Sequence, residues 1–135
     1  MFLYVFDKIL WKIFGILQAS SLGFRSSDCD SFAENQINYI LGDTGRSYLI
    51  GFGSGHPERP HHRGSSCPDM PEPCDWDEFN NPGPNYQTLN GALVGGPDIN
   101  DNYADNRDDF QSNEVATDYN AGFQSALAAL AAKYA

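Results

Sequence analysis

The sequence predicts an all-α fold that forms one piece of a larger helical domain. Three observations carry this. Two segments place apolar residues at three-to-four spacing between helix-capping signals, and the first eighteen residues show the same period. Between the two capped segments runs a tract of about seventy residues that holds all eight prolines. A loop of that length is uncommon inside a complete compact domain, and two or three helices offer each other too little to bury.

The elements follow in chain order. In "MFLYVFDKILWKIFGILQ", Phe2, Leu3, Phe6, Ile9, Leu10, Ile13, Phe14 and Leu17 line one side, with Asp7, Lys8 and Lys12 on the other. The first reading is an amphipathic helix that packs on something. The second is a signal or anchor, for which Ala19-Ser20-Ser21 offers small residues. Asp7 and the lysines interrupt the apolar run of a signal, and the run is too broken to span a bilayer. A helix near 31–41 follows: Asp30 or Ser31 caps it, Glu34 stands at capping-box distance from Ser31, and Gly42 ends it. "SYLI" (47–50) is a short strand or a helical turn, and "GALVGG" (91–96) is ambiguous. The tract around them keeps Trp76, Phe79, Tyr86, Leu89, Leu93 and Val94, so it is not low-complexity disorder. The last helix runs from a cap at Ser112 or Asn113 to about Lys133, with Ala116, Tyr119, Phe123, Leu127 and Leu130 on its apolar side. Little strand is expected.

Net charge is −10, unevenly spread: residues 1–27 carry one acid and three bases, the remainder 17 acids and five bases. That argues against a nucleic-acid partner, which needs a basic face to release counterions, and fits a secreted protein acting on a neutral substrate. Of the three cysteines, Cys29, Cys67 and Cys74, at least one is unpaired within the chain. Cys67 and Cys74 flank "PDMPEP" and either close a small loop or remain thiols. Their spacing is not that of a zinc site.

Two stretches concentrate polar chemistry. In "HPERPHHR" (56–63), Pro57 and Pro60 stiffen the backbone as an extended segment. His61 and Arg63 then face one side and His62 the other. A solvated loop, a ligand-binding pair and a metal site are the open readings. In "PDINDNYADNRDD" (97–109), Asp98, Asn100 and Asn102 have the opening spacing of a calcium loop. Tyr103 stands where its glycine is needed and Asp109 where its glutamate is needed, so a solvated Asx-rich turn explains them better. Behind it, Asp105, Asp108 and Asp109 precede Glu114, which the helix reading puts at a helix mouth.

Tyr103, Asp105, Phe110, Glu114, Ala116, Asn120 and Ala121 follow the pattern aromatic-x-Asp, four residues, aromatic, three residues, Glu-x-small, three residues, Asn-small. This resembles the C-terminal active-site signature of glycoside hydrolase family 9. Pro60, His61, His62 and Arg63 resemble the end of that family's second signature, and Ser47, Leu49 and Gly53 its earlier part; Ile50 and Gly55 depart from it. "CDWDEFNNPGPN", "GALVGGPD" and "SNEVATDYNAGFQSALA" look like animal endoglucanases of the same family. The resemblance covers residues 28–135, the C-terminal part of a catalytic domain, and leaves 1–27 as an unmatched segment.

The resemblance implies a fragment of an (α/α)6 barrel of six helical hairpins with long Pro/Gly-rich loops. It implies an extracellular cellulase, an inverting endo-β-1,4-glucanase acting on β-1,4-glucan, with no cofactor and no membrane. Glu114 takes the role of general acid, His61 and Arg63 bind sugar hydroxyls, Asp105 is an orienting partner, and Tyr119 lines the same cleft. Inversion also needs a base on the opposite side of the sugar. The family carries it in an Asp-Ala-Gly-Asp motif that these 135 residues do not contain. The family's calcium sites are expected mostly outside this chain, and no metal is assigned to it. The rival reading is a non-catalytic remnant of a cellulase.

Overall fold

In a computed structural model of the chain, residues 5–134 are described; Phe2 and Leu3 of the first apolar stripe lie outside them. Among the described residues five α-helices follow in order: α1 (Val5–Ser21), α2 (Ser26–Leu41), α3 (Trp76–Asn80), α4 (Phe110–Asn113) and α5 (Thr117–Tyr134), with a 3-10 turn at Arg63–Ser66. Among the described residues there is no strand, only the isolated bridges Leu49–Leu93, His61–Glu114 and Val94–Val115. No described helix is long and apolar enough to cross a membrane.

The core lies where α1 packs against both α2 and α5. Phe6, Leu10, Ile13 and Leu17 are buried along α1, facing Ala33, Ile37 and Ile40 of α2 and Phe123, Ala126 and Leu130 of α5. Each large side chain so buried contributes about 1.5–3 kcal/mol before its ordering cost. The N-terminal stripe is thus the inner face of a packed helix, as its periodicity indicated. Gly122 lets α5 come close: a Cβ there would sit 2.9 Å from the Leu10 Cβ. At the far end, Ser20 donates to Asp30 at 2.5 Å and Lys133 pairs with the same carboxylate, tying the three helices together.

Two helix starts differ from expectation. α2 begins at Ser26, five residues before the expected start, after a turn in which Gly23 and Arg25 adopt left-handed backbone at φ 84° and 39°. Asp30 lies inside the helix and does not cap it; its carboxylate is engaged by Ser20 and Lys133. The C-terminus is as expected: Gly42, at φ 117°, donates to the Asn38 and Tyr39 carbonyls. The last helix is broken. Asp109, not Ser112 or Asn113, caps the short α4, and α5 starts only at Thr117. The intervening backbone is diverted into the bridges at Glu114 and Val115.

The two ambiguous segments pair with each other. Ile50 N–H donates to the Ala92 carbonyl and Gly91 N–H to the Ile50 carbonyl, both at 2.9 Å. This lays Leu93 and Val94 into the core beside Tyr48, whose ring meets Phe6 edge-on at 5.1 Å. Asn120 of α5 fastens the pair, accepting from Leu93 N–H and donating to the Gly91 carbonyl. Cys67 and Cys74 form a disulfide, and Cys29 is free. α3, which the sequence reading passed over, opens with a capping box between Asp75 and Glu78.

Two glycines in the helices predict opposite outcomes. Gly122→Ala should lower stability in urea unfolding by about 1–3 kcal/mol, the cost of overpacking the α1–α5 contact. Gly15→Ala, on an exposed stretch of α1 with nothing within 4 Å of the new methyl, should raise it by about 0.5–1 kcal/mol through helix propensity.

Candidate active site

The two polar stretches meet. Glu114 leaves α4 in extended backbone at φ −66° and ψ 141°, and His61 N–H donates to the carbonyl of the preceding Asn113 at 2.8 Å. His61 and Glu114 are therefore partners in a parallel bridge. Bridge partners lie about 4.8 Å apart and project side chains to the same face, while their neighbours project to the other. His62 and Val115 accordingly line a separate groove with Leu89, Ala92 and Gln124. The alternation expected for 61–62 holds. Glu114 follows the end of α4 and precedes the start of α5 by three positions. Its expected place in the first turn of a long helix is corrected, because the His61 segment claims the backbone that a helix would have used.

The His61 ring is fixed by its surroundings. Its Nδ1 lies 2.6 Å from the Arg107 carbonyl. A carbonyl only accepts, so Nδ1 carries a proton, and in the neutral ring Nε2 keeps a lone pair for a ligand. Phe79 stands perpendicular to the ring at 5.9 Å, and Phe110 is 6.1 Å away. Arg63 is exposed in the 3-10 turn, with its guanidinium 4.6 Å from the centre of the Trp76 ring. Trp76 in turn meets Phe79 edge-on at 5.6 Å. Arg63 and His61 are linked through these two aromatics, and Trp76, 60% exposed, adds a flat apolar surface to the site.

Asp105 holds the two loops together. Its carboxylate accepts from Glu58 N–H at 2.8 Å, Arg59 N–H at 3.1 Å and the Asn113 side-chain amide at 3.0 Å, with the Arg59 Nε at 3.9 Å. Asn113 is wholly buried. Beyond Asp105 it donates to the Arg59 carbonyl at 2.8 Å and accepts from the Tyr103 hydroxyl. Asp105 and Asn113 thus tie the segment leading to His61 to the residue before Glu114. Burial, and next the charge of Asp105, push the Tyr103 phenol far above its ordinary range.

Tyr119, in the first turn of α5, is 4% exposed and packs in the core cluster. His62 accepts from Ser65 N–H at 3.0 Å and caps the 3-10 turn. Asp98 closes its own loop, accepting from Asn100 and Asn102 N–H and the Asn102 amide at 2.8–3.0 Å. It is a turn built round a carboxylate. Among the described residues no three His, Cys, Asp or Glu side chains gather as for a metal.

The sequence reading missed Trp76, Asn85, Arg107 and Asn113. Asn113 was expected as a cap. Arg107 sits among acids at 105, 108 and 109 and reads as a solvated charge, yet it is 4% exposed. The Asp75–Glu78 box was the available signal for the helix that presents Trp76. Chemically, the cluster offers a carboxyl group that can donate or accept a proton, an imidazole with a free lone pair, a guanidinium, and flat aromatic surface. That set suits a neutral ligand rich in hydroxyls with apolar ring faces.

Two measurements check this arrangement. Asn113→Ala strands a buried carbonyl, a phenol and part of a carboxylate, and should cost about 1–3 kcal/mol in urea unfolding. Tyr103 has a folded-state pKa raised above the unfolded value of about 10, so its contribution is fully present below that pH and is lost as pH rises further. Stability should decline above about pH 10, and less steeply in Tyr103→Phe.

Comparison with known proteins places this geometry. Residues 6–127 match the family described as glycosyl hydrolase family 9. The match begins within the segment set apart at 1–27, and the boundary at 27 falls inside α2. The segment belongs with the rest because α1 supplies a face of the shared core. Endoglucanase 18 of Arabidopsis thaliana is 41% identical over 140 residues, covering 95% of this chain and 29% of its own length. The endoglucanase of the termite Nasutitermes takasagoensis superposes with a TM-score of 0.88 at 62% identity, over 91% of this chain and 28% of that one. Endoglucanase CelQ of Clostridium thermocellum, solved in complex with cellobiose and cellotriose, superposes at 0.82 and 37% identity, over 97% of this chain and 22% of that one. This chain therefore spans less than a third of the length of each of these relatives. Those relatives' helical architecture is that of the (α/α)6 barrels, and this chain, a fragment of that architecture, belongs to glycosyl hydrolase family 9.

Proposed function

We propose that this chain forms the acid-bearing part of the cleft of an endo-β-1,4-glucanase that hydrolyses β-1,4-glucan with inversion. The observation that carries the reading is the bridge that sets His61 and Glu114 on one face. Glu114 is the general acid that protonates the departing glycosidic oxygen. The free Nε2 of His61 accepts from a sugar hydroxyl, and Arg63 donates to a neighbouring one. Asp105 acts as the orienting partner, through the backbone amides it holds. The cello-oligosaccharides bound by the CelQ relative support a β-1,4-glucan as the substrate class. Acid–base hydrolysis at this site calls for no cofactor. The acidic surface disfavours nucleic acid, and the substrate is a polymer met outside cells, so the site of action is extracellular and away from a membrane.

Taken alone, the 135 residues are read as non-catalytic, which the absence of Asp-Ala-Gly-Asp from the sequence favours. An inverting hydrolase needs two carboxyl groups about 6.5–9.5 Å apart with a water between them and the sugar. The purified chain should show no measurable hydrolysis of soluble cellulose derivatives, and Glu114→Gln should change nothing. In a longer parent carrying the base motif, Glu114→Gln should cut turnover by at least about 10²–10⁴-fold, the share of a general acid, while substrate binding survives. Robust hydrolysis by the purified chain, lost on Glu114→Gln, would mean that one of its own acids acts as base. Full turnover by the Gln variant of the parent would remove Glu114 from the chemistry.

A further inference from the structure

We propose that Arg107, acting with Asn85, is a positioning residue that sets the tautomer and the placement of His61. The inference deepens the reading of His61 as a sugar contact, and it rests on that reading for its functional meaning. Arg107 is 4% exposed. The bonds from its guanidinium go to neutral oxygens: Nε to the Asn85 side-chain carbonyl at 2.6 Å, Nη1 to the Phe79 and Asn81 carbonyls at 2.6 Å, and Nη2 to the Gly83 carbonyl at 2.9 Å. A rigid fork of donors fixed at so many points leaves the guanidinium little freedom. Its own backbone carbonyl is the acceptor for His61 Nδ1–H.

Asn85 carries the constraint to the other side of the histidine. Its side-chain amide donates to the Pro60 carbonyl at 3.1 Å and to the Ser65 hydroxyl at 2.5 Å, and its backbone N–H donates to the Glu58 carbonyl at 2.9 Å. The residue before His61 and a residue of the turn after it are thus referred to the same guanidinium that fixes the ring's acceptor. Phe79, whose carbonyl Arg107 holds, presents its ring to His61. With Nδ1 held by the clamp, the neutral ring leaves Nε2 as its acceptor. Were the clamp loose, the proton could move to Nε2 and the site would lose its acceptor.

The test reads the ring-nitrogen shifts of His61 by NMR in the whole 135-residue chain, at a pH where the ring is neutral. The unmodified chain should show the Nδ1–H tautomer. Arg107→Lys keeps the charge but not the fork, and should lower the ratio of Nδ1–H to Nε2–H by about tenfold, the loss of about one net hydrogen bond. Phe79→Leu, which leaves the carbonyl acceptors in place, should keep the ratio. An Nε2–H tautomer in the unmodified chain, an unchanged ratio in Arg107→Lys, or an equal fall in Phe79→Leu would each overturn the proposal. If Arg107→Lys does not fold, exchange in the unmodified chain decides. Protected Arg107 Nε–H and Asn85 amide hydrogens support the clamp, and exchange at solvent rates overturns it. No reading involves substrate, so full turnover by the Glu114→Gln variant of a longer parent would count against the proposed function and leave the clamp standing.

Discussion

The helical path is abandoned at Glu114 so that His61 N–H can reach the Asn113 carbonyl. The rest of the site depends on that bond. It sets the register in which His61 stands beside Glu114 and His62 beside Val115. A shift of one residue would turn both functional side chains to the opposite groove. The register is held from two sides, by Asp105 and Asn113 on the approach to His61 and by Val115 pairing with Val94 beyond Glu114. Among the described residues, no buried side-chain nitrogen or oxygen is left without a partner. Unmet buried groups are expensive enough that the arrangement is confined to one geometry.

The hydrophobic and polar halves of the molecule have separate work. The α1, α2 and α5 core is a stack of apolar stripes in which Gly122 allows close approach. Tyr119 belongs to it. The long Pro/Gly-rich tract has little regular structure, yet it is held by side chains reaching to backbone: Arg107 to the carbonyls of 79–83, Asn120 to the segment at 91–93, Asp105 to the amides of 58 and 59. The functional groups stand on this loop framework, with the helices as its support.

Much of this was legible in the sequence where local chemistry decides. The stripes of α1 and α5 and the glycine end of α2 follow from periodicity and capping. The alternation at 61–62 follows from prolines that hold the chain extended. What was not legible depends on partners far along the chain. Asp30 reads as a cap, yet it lies inside α2 and pairs with Lys133, about a hundred residues away. Asn113 reads as the start of a helix because nothing local shows that His61 will take its carbonyl. Arg107 reads as a surface charge among acids because its acceptors are backbone carbonyls, which leave no trace in sequence. The pairing of Cys67 with Cys74, left open by their number, is settled by the fold.

The central claim is that His61 and Glu114 share one sugar-facing surface, distinct from the groove behind them. The most direct measurement is a titration of the 135-residue chain with cellobiose followed by NMR. The account predicts shifts confined to His61, Arg63, Trp76 and Glu114, with the His62 ring and the Gln124 side chain unmoved. Shifts at His62 and Gln124 with His61 and Glu114 silent would contradict it, as would a titration in which none of these signals moves.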